Sequence, residues 1–218
     1  MRGGGKPPDL HRTSSFVFMG GEKKRKINNY EITQSIQIGD KEVLFGVDEK
    51  DNLPYFCGFY RSNGIVGEYS ECVAGDDYVE MTELFAERIK LQCEKVREER
   101  AKVTVPREEI TQQMCVPIFQ CDDITGKVMA VCPQALRPEY RSAEHQLVYV
   151  RCGNGTRSNS FGTACFCTNL YDKESTRWER YDFLGEVKPE CLPQWAKEQA
   201  EELKHQEKKE RESPREVR

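Results

Sequence analysis

At 218 residues the chain is long enough for one ordinary domain or two small ones, and 37% apolar against 32% charged residues describes a folded core carrying polar extensions. A net charge of −4 and an isoelectric point near 5.6 run against a dedicated nucleic-acid domain, which usually shows a basic face and a high isoelectric point, while leaving room for a local basic patch. No window approaches the roughly 18 consecutive apolar residues of a membrane span, and the run FVFMG is shorter than the roughly 7–15 apolar residues of a secretory leader, so the expectation is a soluble, cytoplasmic protein with no membrane partner.

Residues 1–29 combine glycines, prolines and a basic cluster at Lys23–Lys26 without sustained periodicity, and are expected to form a disordered basic arm. YEITQSIQI, from Tyr30, alternates apolar and polar side chains with a period of two, as a half-buried strand does. Gly39-Asp40 then turns the chain into KEVLFGVDE, where Val43, Phe45 and Val47 alternate again, so the pair reads as a hairpin. LPYFCGFY is a third strand and EYSECV a weaker fourth. The period then changes to three and four at Met81, Phe85, Ile89, Cys93 and Val96, which predicts a long helix lying across this sheet. Asp77, with Glu80 three residues on, is placed to cap it.

Beyond TVPREE the strand pattern returns in MCVPIFQC, KVMAVC, HQLVYVRC, GTACFCTNLY and TRWERYDFLGEV, interrupted by the proline-bearing connection PQALRPEYRSAE. Short strands without a long helix between them predict a bent antiparallel sheet or small barrel. The last element is a helix starting near Pro193, anchored by Trp195 and Leu203 and running into a charged tail. The fold class is therefore α+β, divided into a disordered basic arm (1–29), an antiparallel sheet plus helix (30–105), a second small antiparallel sheet or barrel (106–193), and a C-terminal helix with its tail (194–218).

Charge is uneven along these divisions. Residues 1–30 carry 7 Lys and Arg against 2 Asp and Glu, whereas residues 40–105 carry 9 against 15. Ten cysteines occur without any sign of export, and most have apolar or aromatic neighbours, so they read as reduced thiols used as small core residues.

The runs LRPEYR, HQLVYV, ACFCTNLY and RWERYDFLGEVKPECLPQWA, together with the hairpin IQIGDKEVLF, resemble uncharacterised proteins carried on conjugative and integrative mobile elements of gut Firmicutes, over about residues 30–197. The resemblance implies a bacterial cytoplasm and an accessory role on a mobile element, and carries no activity with it.

Three stretches are candidates for chemistry. The glycine-rich GNGTRSNSFG leads into a strand and not into a helix N-terminus, and no Lys-Ser or Lys-Thr pair follows it, which excludes the nucleotide-cofactor fingerprints. It reads as a polar hairpin loop, or as a contact to an anion or nucleic acid through Arg151, Asn154, Arg157 and Asn159. The segment TRWERYDF interleaves Arg177, Trp178, Arg180 and Tyr181; it is an aromatic core strand with surface ion pairs, or a surface that stacks on single-stranded bases or meets a protein. Finally, Cys165 and Cys167 share a strand face, with Cys152 across the hairpin and His145 or Cys191 as further partners. That set is the basis of an alternative reading, a zinc- or thiol-dependent enzyme, although the chain has no Cys-x2-Cys pair. The leading expectation is a non-enzymatic binding module without a required cofactor. Its partner is nucleic acid, or a host or element protein such as a defence component, met through the 151–161 loop and the 176–183 strand.

Overall fold

The structure, a computed structural model, describes residues 25–62 and 66–212. The arm expected over residues 1–29 lies outside the described residues as far as Lys24, and so does the tail beyond Glu212. Within the described part of the arm the expectation is corrected: Lys26–Ile27 (β1) pairs antiparallel with Tyr30 and Glu31.

The first sheet is an antiparallel meander in chain order: β1, β2 (Tyr30–Ile38), β3 (Lys41–Val47), β4 (Tyr55–Ser62) and β5 (Gly67–Gly75). Helix α1 (Tyr78–Ala101) begins where the Asp77 carboxylate accepts from the amides of Val79 (2.7 Å) and Glu80 (2.9 Å), satisfying donors that a helix start leaves unpaired. Met81 and Phe85 pack on Val43, Phe45, Cys57 and Phe59, a cluster in which each buried side chain contributes about 1.5–3 kcal/mol. The predicted stripe is corrected at its centre, where Arg88 and Gln92 are buried while Ile89 and Cys93 are only half-buried. Arg88 is accommodated because its guanidinium lies over the Phe59 ring (5.1 Å) and donates to the Glu71 carbonyl (2.5 Å).

The second sheet has six antiparallel strands in the order β10 (Ser175–Glu179), β9 (Ala164–Asn169), β8 (Leu147–Cys152), β7 (Val128–Val131), β11 (Phe183–Val187) and β6 (Cys115–Val116). It is a sheet and not a closed barrel. Between β7 and β8 run two short 3₁₀ turns and the single turn α2 (Ala143–Gln146). One face buries Val128, Ala130, Leu147 and Tyr149 under Ala196, Ala200 and Leu203 of α3 (Gln194–Glu212). The other buries Met129, Val131, Val148, Val150, Cys165, Cys167 and Phe183 with Ile124. Leu147–Val150 of β8 are consequently buried throughout.

The two sheets keep separate cores and meet through the connection after β7. The Gly39 amide donates to the Glu139 carboxylate (2.6 Å), Arg100 of α1 donates to the Glu139 carbonyl (2.8 Å), and the Tyr140 hydroxyl donates to Glu99 (3.4 Å). Among the described residues no helix is long and apolar enough to cross a membrane.

Candidate functional site

The glycine-rich stretch connects β8 to β9, and its glycines serve the packing of its own two limbs. Gly153 sits at φ +135°, and a Cβ there would strike the Ala164 carbonyl; a Cβ at Gly155 would strike the Thr163 carbonyl. The loop is further tied to the 118–126 segment: Ile124 N donates to Thr156 O (2.9 Å), Asn159 N to Gln120 O (2.7 Å), and Gln120 Nε2 to Ser160 O (2.5 Å). Asn159 takes a positive φ of 54°. Asn154 and Arg157 remain exposed. Asp123 nearby has its carboxyl held below the usual range, first by the hydrogen bonds of Thr125 and then by the charges of Arg157 and Arg180.

TRWERYDFLGEV, expected as one strand, is two. Alternation holds through β10 and stops at Arg180–Asp182, a 3₁₀ turn closed by reciprocal bonds of the Glu179 and Asp182 side chains to each other's backbone amides. The chain then crosses to the far side of the sheet, where β11 inserts between β7 and β6. Arg180, read as part of a presented surface, is instead buried, and its guanidinium donates to the carbonyls of Gly155 (2.6 Å), Phe119 (2.7 Å) and Asp122 (2.9 Å). A planar fork with five donors suits this site, since it satisfies three carbonyls of two loops at once.

What remains open is a trough of about 580 Å³ on the α3-bearing face of β8, β9 and β10, beyond the edge of the helix. Cross-strand register sets Phe166 between Cys152 on β8 and Arg177 on β10, with Thr168 and Ser175 the next pair along. Phe166 is 49% exposed, and Arg151 closes the side toward α3. Arg177 pairs with Glu179 (2.6 Å) and Arg151 with Glu207 of α3 (2.8 Å). The hydroxyl of Thr163, ahead of Arg177, holds the Glu179 carboxyl below its usual range. A ring with an open face, flanked by guanidinium groups and by the hydroxyl of Ser175, can stack on a planar group and hold an anion beside it.

Trp178 and Tyr181 part company. Trp178 packs against the buried cluster of Cys165 and Cys167, its indole N–H donating to Thr176 (3.2 Å), whereas Tyr181 is 74% exposed. Phe119, 67% exposed, lines the same hollow as Tyr181. Wholly exposed Phe161 lies between Ser160, which accepts from Gln120, and Thr163, which accepts from the Arg180 amide, so three segments carrying an exposed aromatic meet around Arg180. Phe119, Phe161 and Phe166 were missed by sequence reading. For Phe166 a signal was available, because placing Cys165 and Cys167 on the inner face of β9 obliges the residue between them to point outward.

The cysteine cluster does not assemble. Burial pushes the Cys165 thiol up to about 11 and that of Cys167 to about 12, which keeps both protonated. Cys152 is exposed at the end of β8, on the sheet face away from Cys165 and Cys167; Cys191 packs near Cys115 against the α3 cluster; and His145 sits in α2, ahead of the opposite end of β8, its ring tilted against Tyr140 at 4.8 Å. Among the described residues no group of three or more His, Cys, Asp or Glu side chains is placed to hold a metal ion. Compared with models of protein families, with curated proteins and with solved structures, the chain shows no match.

Proposed function

We propose that the protein is a non-enzymatic binding module that takes single-stranded nucleic acid in the trough of β8–β10, in an accessory role on a bacterial mobile element. The observation that carries the reading is the open ring of Phe166 standing directly across from Arg177, with Arg151 on the opposite wall. A base stacks on the ring without regard to sequence, and the arginines meet the phosphates on either side of it. Thr168 and Ser175, the next cross-strand pair, line the same trough and offer polar contacts to the sugar and phosphate. Because each arginine already has a carboxylate partner, phosphate must displace Glu179 and Glu207, which favours modest affinity with marked salt sensitivity.

The test is fluorescence anisotropy with single-stranded DNA, single-stranded RNA and duplex DNA over a salt series. Single strands are expected to bind in preference to duplex, with log affinity falling linearly in log salt at about 0.7 per neutralised phosphate. Absence of binding at low salt removes the nucleic-acid reading and leaves a host protein as the partner of the module.

A further inference from the structure

We infer that the aromatic rim beside Arg180 is the contact surface of a symmetric homodimer. The inference is independent of the trough, which lies on the sheet face. Three segments build the rim: the 118–122 loop, the 157–163 part of the β8–β9 loop, and the turn after β10. They supply Phe119, Phe161 and Tyr181 at 67%, 107% and 74% exposure. These are not side chains of a mobile fringe. The Arg180 guanidinium fixes two of the segments, and Gln120 bonds the Ser160 carbonyl and accepts from the Asn159 amide. Aromatics held in this way meet a partner without losing much further conformational freedom.

The occupant is a second copy because the rim carries both halves of its own complement. A hollow of about 270 Å³ opens between Ile118, Phe119, Thr163, Tyr181 and Phe183, with Gln120 and the inward-bonded Arg180 also on its wall. A cavity of about 150 Å³ is enough to hold a benzene ring. Phe161, two residues from the wall residue Thr163, projects entirely into solvent and fills no hollow of its own chain. A knob and a hole side by side on one patch are brought into mutual register by a twofold axis through the patch, each copy's Phe161 entering the other's hollow. Exposed Arg157 and Asp123, one from each of the two loops, give the surroundings both signs of charge, as a self-complementary contact requires. At these exposures aromatic side chains of about 150–250 Å² each present on the order of 500 Å² per copy, so the rim supplies at most about 1,000 Å² for the pair, the size of a weak, concentration-dependent association.

The test is sedimentation velocity of the full chain over a concentration series, with Phe161→Ser, Tyr181→Ala and Phe166→Ala alongside the parent. Phe161 touches little in its own chain, so the serine variant should keep the parent's circular dichroism and melting temperature. The expected result is a concentration-dependent dimer whose dissociation constant rises roughly tenfold or more in Phe161→Ser and in Tyr181→Ala, and is unchanged in Phe166→Ala. A chain that stays monomeric at every concentration overturns the inference. So does a dimer that survives both rim substitutions, or one lost through Phe166→Ala, which would move the contact to the sheet face.

Discussion

Phe166 and Arg177 are direct partners across the β9–β10 ladder, the ring 49% exposed and the arginine side chain 56% exposed, so a planar group lying on the ring has a guanidinium at its edge. The two residues should fail differently when removed. Stacking is worth about 1–3 kcal/mol per base, so Phe166→Ala should weaken single-strand binding by roughly tenfold or more at any salt. Arg177→Ala should also weaken it, and should lower the salt slope by about one contact. Anisotropy titrations at several salt concentrations separate the two effects, and an unaltered slope in Arg177→Ala would remove the phosphate contact from the trough.

Arg180 and Gln146 are predicted to matter for stability and not for surface chemistry. Arg180→Ala leaves three carbonyls without their charged donor and should cost about 3–5 kcal/mol, with Arg180→Lys recovering only part because an ammonium lacks the planar fork. Urea unfolding of the two variants beside the parent measures this directly.

Gln146 is fully buried; its side chain accepts from Ile110 N (2.8 Å) and donates to the carbonyls of Ile110 (3.0 Å) and Val131 (3.1 Å). Gln146→Leu keeps the volume and strips all three partners, for an expected loss of about 2–4 kcal/mol in the same assay. A near-neutral result would mean that the loop before β6 carries its own hydrogen bonding some other way.

Burial holds the His145 imidazole below its usual range, against the opposing pull of Glu144 and Asp172, with Arg107 and Arg100 adding to the depression. The unfolded chain therefore takes up this proton more readily than the folded one. The contribution to stability is complete above the unfolded value of about 6.5 and is lost as pH falls from there toward the lower folded value. Urea midpoints should decline through that window in the parent and decline less in His145→Asn.

Thiol accessibility provides a map of the fold in solution. Cys72, Cys121 and Cys152 are exposed and should react quickly with a disulfide reagent at neutral pH. Cys57, Cys115, Cys165 and Cys167 are buried with thiols pushed up by desolvation, to about 11 for Cys115, and should react only on unfolding. Alkylating Cys152, which lines the trough, should also obstruct single-strand binding.

Elements with a regular period were legible from sequence alone. The strand from Tyr30, the Gly39-Asp40 turn and the helix through Met81 lie where the pattern placed them, but the alternation itself does not carry into burial: β2 has no buried residue and Ile36 is exposed, while Val43–Gly46 of β3 are buried on both faces. Long-range polar contacts were not legible. Arg88 and Arg180 look like surface charges in a string of letters, and only the carbonyls brought to them from Glu71, Gly155, Phe119 and Asp122 make them interior residues. The break at Arg180 was hidden for the same reason, since the Glu179–Asp182 closure is a local bond that competes with a strand pattern continuing through it. Of the trough, Arg151 and Arg177 are legible in the sequence, while Phe166 shows only once the faces of β9 are assigned, because it alternates with the buried Cys165 and Cys167.

The insertion of β11 between β7 and β6 sets an order of events for a chain emerging from the ribosome. Val128–Val131 has no partner on one side, and Cys115–Val116 has no strand partner at all, until Phe183–Val187 arrives more than fifty residues later. Loop-closure entropy must be met before those pairings return anything, so the second sheet should close late and slowly, with the first meander and α1 already formed. A nascent chain halted before Phe183 would display the open edge of β7 to its neighbours, which makes translation pausing in this stretch a route to aggregation.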